Sequence, residues 1–303
     1  MEHIKAIKKI DIHAHATAFP EFFPPLYPNG QRMISAEELL SVYDQVGVDQ
    51  AVLLPIASPE GQLAAMTNEA CKMLSDRYPD RFLWFCNVDP RAMANDGACD
   101  LSGLLSHYQS LGARGCGEVT ANIYMDDNKT DRLFSACEEL GLPVTIHIAP
   151  EFKSYGLVDE LGLPRLEKML KKHPKLKILG HSQPFWSEIS GDVTEKTRGD
   201  YPTGKVVDGR ISELLRNYPN LYCDISAGSG LNAFMRDPEY ASRFIEEFSD
   251  RILFGLDMCL PTQKHPFVAA EFFDKLLDEG AISPENYKKV LRENAVKILK
   301  LEK

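Results

Sequence analysis

Eight times along this 303-residue chain a short apolar run rich in β-branched side chains gives way to a stretch of helical period, and that alternation constrains the fold more than any other feature. The first run ends at His15. The others cover Ala51–Ile56, Arg81–Val88, Ala113–Val119, Pro143–Ile148, Leu176–His181, Leu221–Ile225 and Arg251–Asp257. Helical stretches follow near Ser35–Val46, Gln62–Arg77, Leu101–Leu111, Asp131–Leu140, Leu161–His173, Val206–Asn217, Pro238–Phe248 and Pro266–Leu277, and a last helix runs Pro284–Leu299. Ser35, with Glu38 three residues on, has the signature of a capping box. Such alternation predicts parallel strands joined by right-handed crossovers. Eight repeats predict a closed (β/α)8 TIM barrel of the α/β class, a single domain over residues 1–303, rather than an open doubly wound sheet. A dinucleotide-binding sheet would place Gly-x-Gly-x-x-Gly after the first strand, where this chain has Asp11-Ile-His-Ala-His15.

Composition narrows the partners. With 44% hydrophobic and 26% charged residues the chain can bury a large core. A formal net charge of -10 argues against nucleic acid as a partner. Charges interrupt every apolar run before membrane length, and residues 1–9 lack the apolar core of a signal peptide, so the expectation is a cytoplasmic protein with no membrane partner. Seven dispersed cysteines (Cys71, Cys86, Cys99, Cys116, Cys137, Cys223, Cys259) without a Cys-x-x-Cys fit a reducing compartment and give no sign of a zinc ribbon.

The candidate chemistry gathers at strand ends. His13 and His15, two apart on a strand, share a face with Asp11 behind them, and paired imidazoles are common ligands of divalent ions. His147 and His181 fall at or near the ends of strands five and six, Glu118 near the end of strand four, and Asp257 ends strand eight. A barrel brings its carboxyl-end loops into one ring, so these six residues converge there. His3, His107 and His173 read as surface residues, and His265 as a residue beside the substrate or behind the site.

The ordered set resembles the amidohydrolase superfamily, in its amidohydrolase-related branch of metal-dependent hydrolases and aminocarboxymuconate-semialdehyde-type decarboxylases. The resemblance runs from Asp11-Ile-His-Ala-His15 through Pro143-Val-Thr-Ile-His147 and Ile178-Leu-Gly-His181 to Phe254-Gly-Leu-Asp257, and includes the terminal Glu293–Leu299. It implies that His13, His15, His147 and Asp257 bind a divalent metal, usually zinc, with manganese as an alternative. It implies that His181 either binds a second metal or helps move the proton of the metal-bound water. Many binuclear relatives carry a carboxylated lysine at strand four. Glu118 in Gly115-Cys-Gly-Glu118 departs from that, which leaves open one or two metals per chain and a bridging, single-metal or substrate-facing Glu118. The implied reaction is hydrolysis of a small-molecule ester, lactone or amide through a metal-activated water, with Asp257 and His181 as catalytic groups. The alternative is non-oxidative decarboxylation on the same scaffold. A non-catalytic binding barrel is disfavoured, because unpaired buried histidines and carboxylates cost free energy. The resemblance also suggests a homodimer.

Substrate choice is expected in the loops. The stretch from Thr17 to Pro28 is aromatic and proline-stiffened, a lid or wall for an apolar group. The loop after strand six offers Trp186, Arg198, Tyr201 and Lys205, and the loop after strand eight Lys264 and His265, for a carboxylate or ring.

Overall fold

A computed structural model describes residues 2–22, 30–64, 66–92 and 101–301. Cys99 and residues 23–28, the second half of the predicted aromatic loop, lie outside the described residues. Eight strands, β1 (Lys9–Ala14), β2 (Val48–Leu53), β3 (Phe82–Trp84), β4 (Cys116–Val119), β5 (Val144–Ala149), β6 (Ile178–His181), β7 (Leu221–Asp224) and β8 (Ile252–Leu253), form two arcs, β1 to β3 and β4 to β8. Every neighbouring pair is parallel. A two-residue strand, Leu157–Val158, adds to β5 outside this order.

Backbone hydrogen bonds beyond the ladders join the arcs at both seams. Cys86 N–H donates to the Gly115 carbonyl (2.9 Å) and Gly117 N–H to the Cys86 carbonyl (2.8 Å). On the other side Ile12 N–H donates to Phe254 O (3.0 Å) and Asp257 N–H to His13 O (2.8 Å). The ring is therefore a closed (β/α)8 barrel. Its interior is filled by Ile10, Ile12, Val52, Leu54, Phe85, Leu179 and Leu253, packed with Ala295, Ile298 and Leu299 from the C-terminal helical segment. Burial of each large aliphatic or aromatic side chain contributes about 1.5–3 kcal/mol.

Local chemistry explains where elements start and stop. Ser35 Oγ accepts from Glu38 N–H (3.2 Å) and Glu38 Oε2 from Ser35 N–H (2.9 Å), so the capping box opens the helix Ala36–Val46. β2 ends at Leu53, before Pro55, which has no N–H to give a ladder. The second helix begins at Asn68 rather than Gln62, because Thr67 caps it and Pro59–Ala64 forms a tighter 3-10 turn. The helix expected from Val206 begins at Arg210, since Val206 N–H is drawn to Asp237 Oδ2 and Val207 N–H to Ser190 Oγ. The alternation did not predict the short N-terminal helix Glu2–Lys5, nor two later helices, Gln183–Ser187 and Ala227–Met235. The last carries two glycines in its first four residues, a composition that reads as loop.

The C-terminal segment anchors the strand that leads to Asp257. A π turn at Lys289–Glu293 leaves the Val290 carbonyl to accept from Phe254 N–H (3.0 Å), and Asn294 Nδ2 donates to Ser249 O (2.6 Å) and Ile252 O (2.7 Å). His173, expected on the surface, is buried, with Nε2 3.0 Å from Asp131 Oδ1. Among the described residues no helix is long and apolar enough to cross a membrane.

Candidate metal centre

A bulge in β1 aims the first histidine. Asp11 pairs with Ala51 but Ala14 with Leu53, so three residues of β1 advance against two of β2. Strict alternation would put Asp11 on the histidine face; the extra residue breaks the alternation. Ile12 enters the barrel interior, while Asp11 turns outward to accept from Tyr43 Oη (2.6 Å) of the helix Ala36–Val46. Its other oxygen takes the backbone N–H of His13 (2.9 Å) and of Leu256 (2.9 Å), tying β1 to the chain just before Asp257.

The result is a tight cluster at the carboxyl ends of the strands. His13 Nε2 and His15 Nε2 face each other at 3.0 Å. Glu118 Oε2 is 3.6 Å from the first and 3.7 Å from the second, and Asp257 Oδ1 is 3.7 and 3.4 Å away. His181 Nε2 lies 4.0 Å from Glu118 Oε1 and 3.6 Å from Asp257 Oδ2. Among the described residues two overlapping sets have the spacing to hold a metal: His13, His15 and Asp257, and His13, Glu118 and His181. His147 belongs to neither; its Nδ1 is 2.7 Å from Glu118 Oε1. Gly117, at φ +129°, lets β4 approach β5 there, since a Cβ would stand 2.5 Å from the Thr145 carbonyl.

Hydrogen-bond bookkeeping tests whether a cation fits. His15 Nδ1 faces the Leu54 carbonyl (2.9 Å) and His13 Nδ1 the Asp224 carboxylate (2.6 Å). A carbonyl and a carboxylate accept only, so each Nδ1 carries the hydrogen and each neutral ring presents its Nε2 lone pair. Two lone pairs at 3.0 Å repel unless a proton or a metal cation lies between them. The ionisation shifts point the same way. Burial opposes charge on His13, yet Asp257, Asp224 and Glu118 together push its pKa well up. Glu118 is held well below the usual carboxylate range, against its own burial, by His13 and His147. Burial, then the charge of His13, brings His181 down to about 4. The carboxylates around His13 favour a positive charge there, which a proton on Nε2 or a divalent metal would supply, and these donors suit a metal.

Three neighbours were not singled out in the sequence. Asp224, at the end of β7, is fully buried against His13, and Ser226 Oγ is 3.0 Å from His181 Nδ1. Asp224 carried the same signal as Asp257, a carboxylate closing an apolar strand. Tyr155 Oη donates to Glu118 Oε2 (3.4 Å), and its ring meets His147 edge-on at 4.8 Å; it comes from a loop that shows no periodicity.

The predicted substrate contacts separate. Trp186 is buried among Phe185, Phe234 and Phe244, with its indole N–H on the Asp224 carbonyl (2.8 Å), and so supports β7 from behind. Arg198 has no exposed surface; it donates to the Asp159 carbonyl (2.8 Å) and lies 3.2 Å from Glu188, which fixes the strand-six loop from within. Neither is placed to meet a ligand from solvent. Tyr201 is half exposed, its Oη accepting from Gln183 Nε2 (3.2 Å), and Lys205 pairs with Asp237. His265 opens the helix His265–Asp278, with Nε2 on the Leu256 carbonyl (2.5 Å).

The buried pair gives a pH prediction. Burial, partly offset by Arg198, raises the Glu188 carboxyl from 4.5 to about 7. Between those values the folded chain keeps a proton that the unfolded chain has released, so this group lowers stability as pH rises, by at most about 1.4 kcal/mol per pH unit. Urea unfolding of wild type and Glu188→Gln at pH 5 and pH 7 is expected to show the wild type losing ground relative to the variant at the higher pH. Parallel pH profiles would remove the effect.

The family model described as Amidohydrolase, of the amidohydrolase-2 branch, matches residues 10–301. The chain belongs to this family. No curated protein matches it in sequence. Among solved structures, this amidohydrolase-family chain is similar to 2,6-dihydroxybenzoate decarboxylase from Rhizobium (17% identity, TM-score 0.62, covering 97% of this chain and 99% of that one). It is also similar to a probable 2-pyrone-4,6-dicarboxylic acid hydrolase from Acinetobacter baumannii (13%, TM-score 0.60, 97% and 100%). A third is a dihydroxybenzoic acid decarboxylase from Polaromonas sp. JS666 with bound manganese and the inhibitor 2-nitroresorcinol (18%, TM-score 0.59, 98% and 98%). At these identities the likeness shows the barrel fold.

Proposed function

We propose that this member of the amidohydrolase family is a metal-dependent hydrolase of a small-molecule ester, lactone or amide. The observation that carries the reading is the pair of Nε2 atoms facing at 3.0 Å with Asp257 Oδ1 within 3.7 Å of both. His13, His15 and Asp257 would hold the ion, with Glu118, His147 and His181 completing the site. Both ligand sets draw on His13, whose Nδ1 is taken by Asp224, which favours a single ion per chain, zinc or manganese. A bound divalent ion supplies Lewis acidity and lowers the pKa of water towards neutrality. Asp257, 19% exposed at its side chain where His13 and Glu118 are closed off, takes the proton of the attacking water and returns it to the leaving group. His181 Nε2, 3.6 Å from Asp257 Oδ2, orients that exchange. Tyr155 and His147 line the Glu118 side, and Tyr201 and His265 stay candidates for substrate contact. A single-domain, cytoplasmic homodimer is the accompanying proposal.

Decarboxylation is the second reading, favoured by the decarboxylases among the similar structures. Metal-loaded and chelator-treated protein, assayed against lactones, aryl esters, amides and hydroxybenzoates, separates the two. Metal-dependent acid release by pH-stat without carbon dioxide supports the hydrolase. Metal-dependent carbon dioxide release without hydrolysis replaces it with the lyase.

A further inference from the structure

We infer that Asp224 is the positioning residue that makes His13 a metal ligand, and that the glycine of the Phe254-Gly-Leu-Asp257 motif is there to make room for it. The inference rests on the metal-site reading above.

Asp224 ends β7, two strands round the barrel from the strand that carries His13. Its Oδ2 is 2.6 Å from His13 Nδ1, and neither side chain has exposed surface. The same oxygen is 3.7 Å from His181 Nδ1, and Oδ1 accepts the N–H of Ser226 (3.0 Å), whose hydroxyl is 3.0 Å from that nitrogen. One carboxylate thus touches the histidine common to both ligand sets directly, and the second histidine through the residue two further along its own strand end.

The two partners differ in kind. A carboxylate only accepts, so Asp224 fixes the hydrogen of His13 on Nδ1 and makes Nε2 the lone-pair nitrogen of the neutral ring. A hydroxyl both donates and accepts, so Ser226 leaves the tautomer of His181 free. A carboxylate behind a ligating imidazole also raises the basicity of the ligating nitrogen and locks the ring. His13 is built to hold, and Asp224 is what builds it.

The surroundings are shaped to keep Asp224 in place. A Cβ on Gly255 would stand 2.7 Å from Asp224 Oδ1 and 2.8 Å from Ser226 Cβ, so that position admits glycine without displacement. Trp186 donates its indole N–H to the Asp224 carbonyl (2.8 Å), holding the backbone from the other side. The motif glycine two residues before Asp257 is therefore explained by the carboxylate that it makes room for, not by a turn of its own.

The test is zinc affinity measured by competition with a chromogenic chelator, on wild type, Asp224→Asn and Asp224→Ala, with thermal unfolding of each metal-free protein. The asparagine keeps an acceptor oxygen and loses the charge; the alanine loses both. The expected result is a drop in zinc affinity of about 10–100-fold, larger for alanine, with the metal-free asparagine variant still folded. Asp224→Asn is close in shape to the native residue and carries the decision if the alanine variant fails to fold. Wild-type zinc affinity in a folded Asp224→Asn protein overturns the inference. Wild type that takes up neither zinc nor manganese fails the metal-site reading itself, a different and separately visible outcome.

Discussion

Asp257→Asn is expected to lower turnover by about 10²–10⁴-fold while the protein still carries its metal, the range typical for loss of a positioned proton-transfer group. The substitution is unusually clean at this position. Asp257 lies in the left-handed region at φ +48°, which asparagine tolerates and most residues do not, so the backbone turn survives. The amide keeps one oxygen able to ligate a metal but no longer takes up a proton at neutral pH. The Asp257 N–H bond to the His13 carbonyl (2.8 Å) belongs to the backbone and is unaffected. Steady-state kinetics beside elemental analysis of the same preparation checks the split. Turnover equal to wild type would take Asp257 out of the chemistry.

His13→Ala is expected to do the converse and abolish metal retention. It removes the ligand residue shared by both sets, and it also leaves Oδ2 of the fully buried Asp224 without its His13 partner. An unsatisfied buried group costs about 1–3 kcal/mol, more when charged, so the melting temperature falls and no longer rises when zinc is added. His147→Ala is expected to lose less metal affinity, because His147 reaches the cluster through Glu118. Chelator competition on the two variants gives the comparison, and equal losses would put His147 on the metal as directly as His13.

The barrel was legible because its signal is repetitive: each apolar run predicts a strand whatever happens at its edges. The edges were less legible. The loop after β6 holds a short helix, a buried arginine and a delayed helix start, all set by side-chain contacts such as Val206 with Asp237 that no periodicity encodes. Trp186 and Arg198 looked like ligand contacts because aromatic and cationic residues in a long loop usually face outward; here both point inward to brace β7 and the loop itself. The ring of His13, His15, Glu118, His181 and Asp257 followed from placing polar residues at strand ends. The same rule applied to Leu221–Ile225 would have found Asp224. The bulge in β1 was out of reach, since it depends on register against β2 and on Tyr43 from the next helix.

The most direct test is metal content per chain, by elemental analysis of protein purified without chelator or added metal and again after incubation with zinc or manganese. The arrangement around His13 predicts one divalent ion per chain in the loaded protein, removed by chelator and restored by adding metal back. Protein that holds none, and takes up neither zinc nor manganese when offered them, would contradict the account at its base.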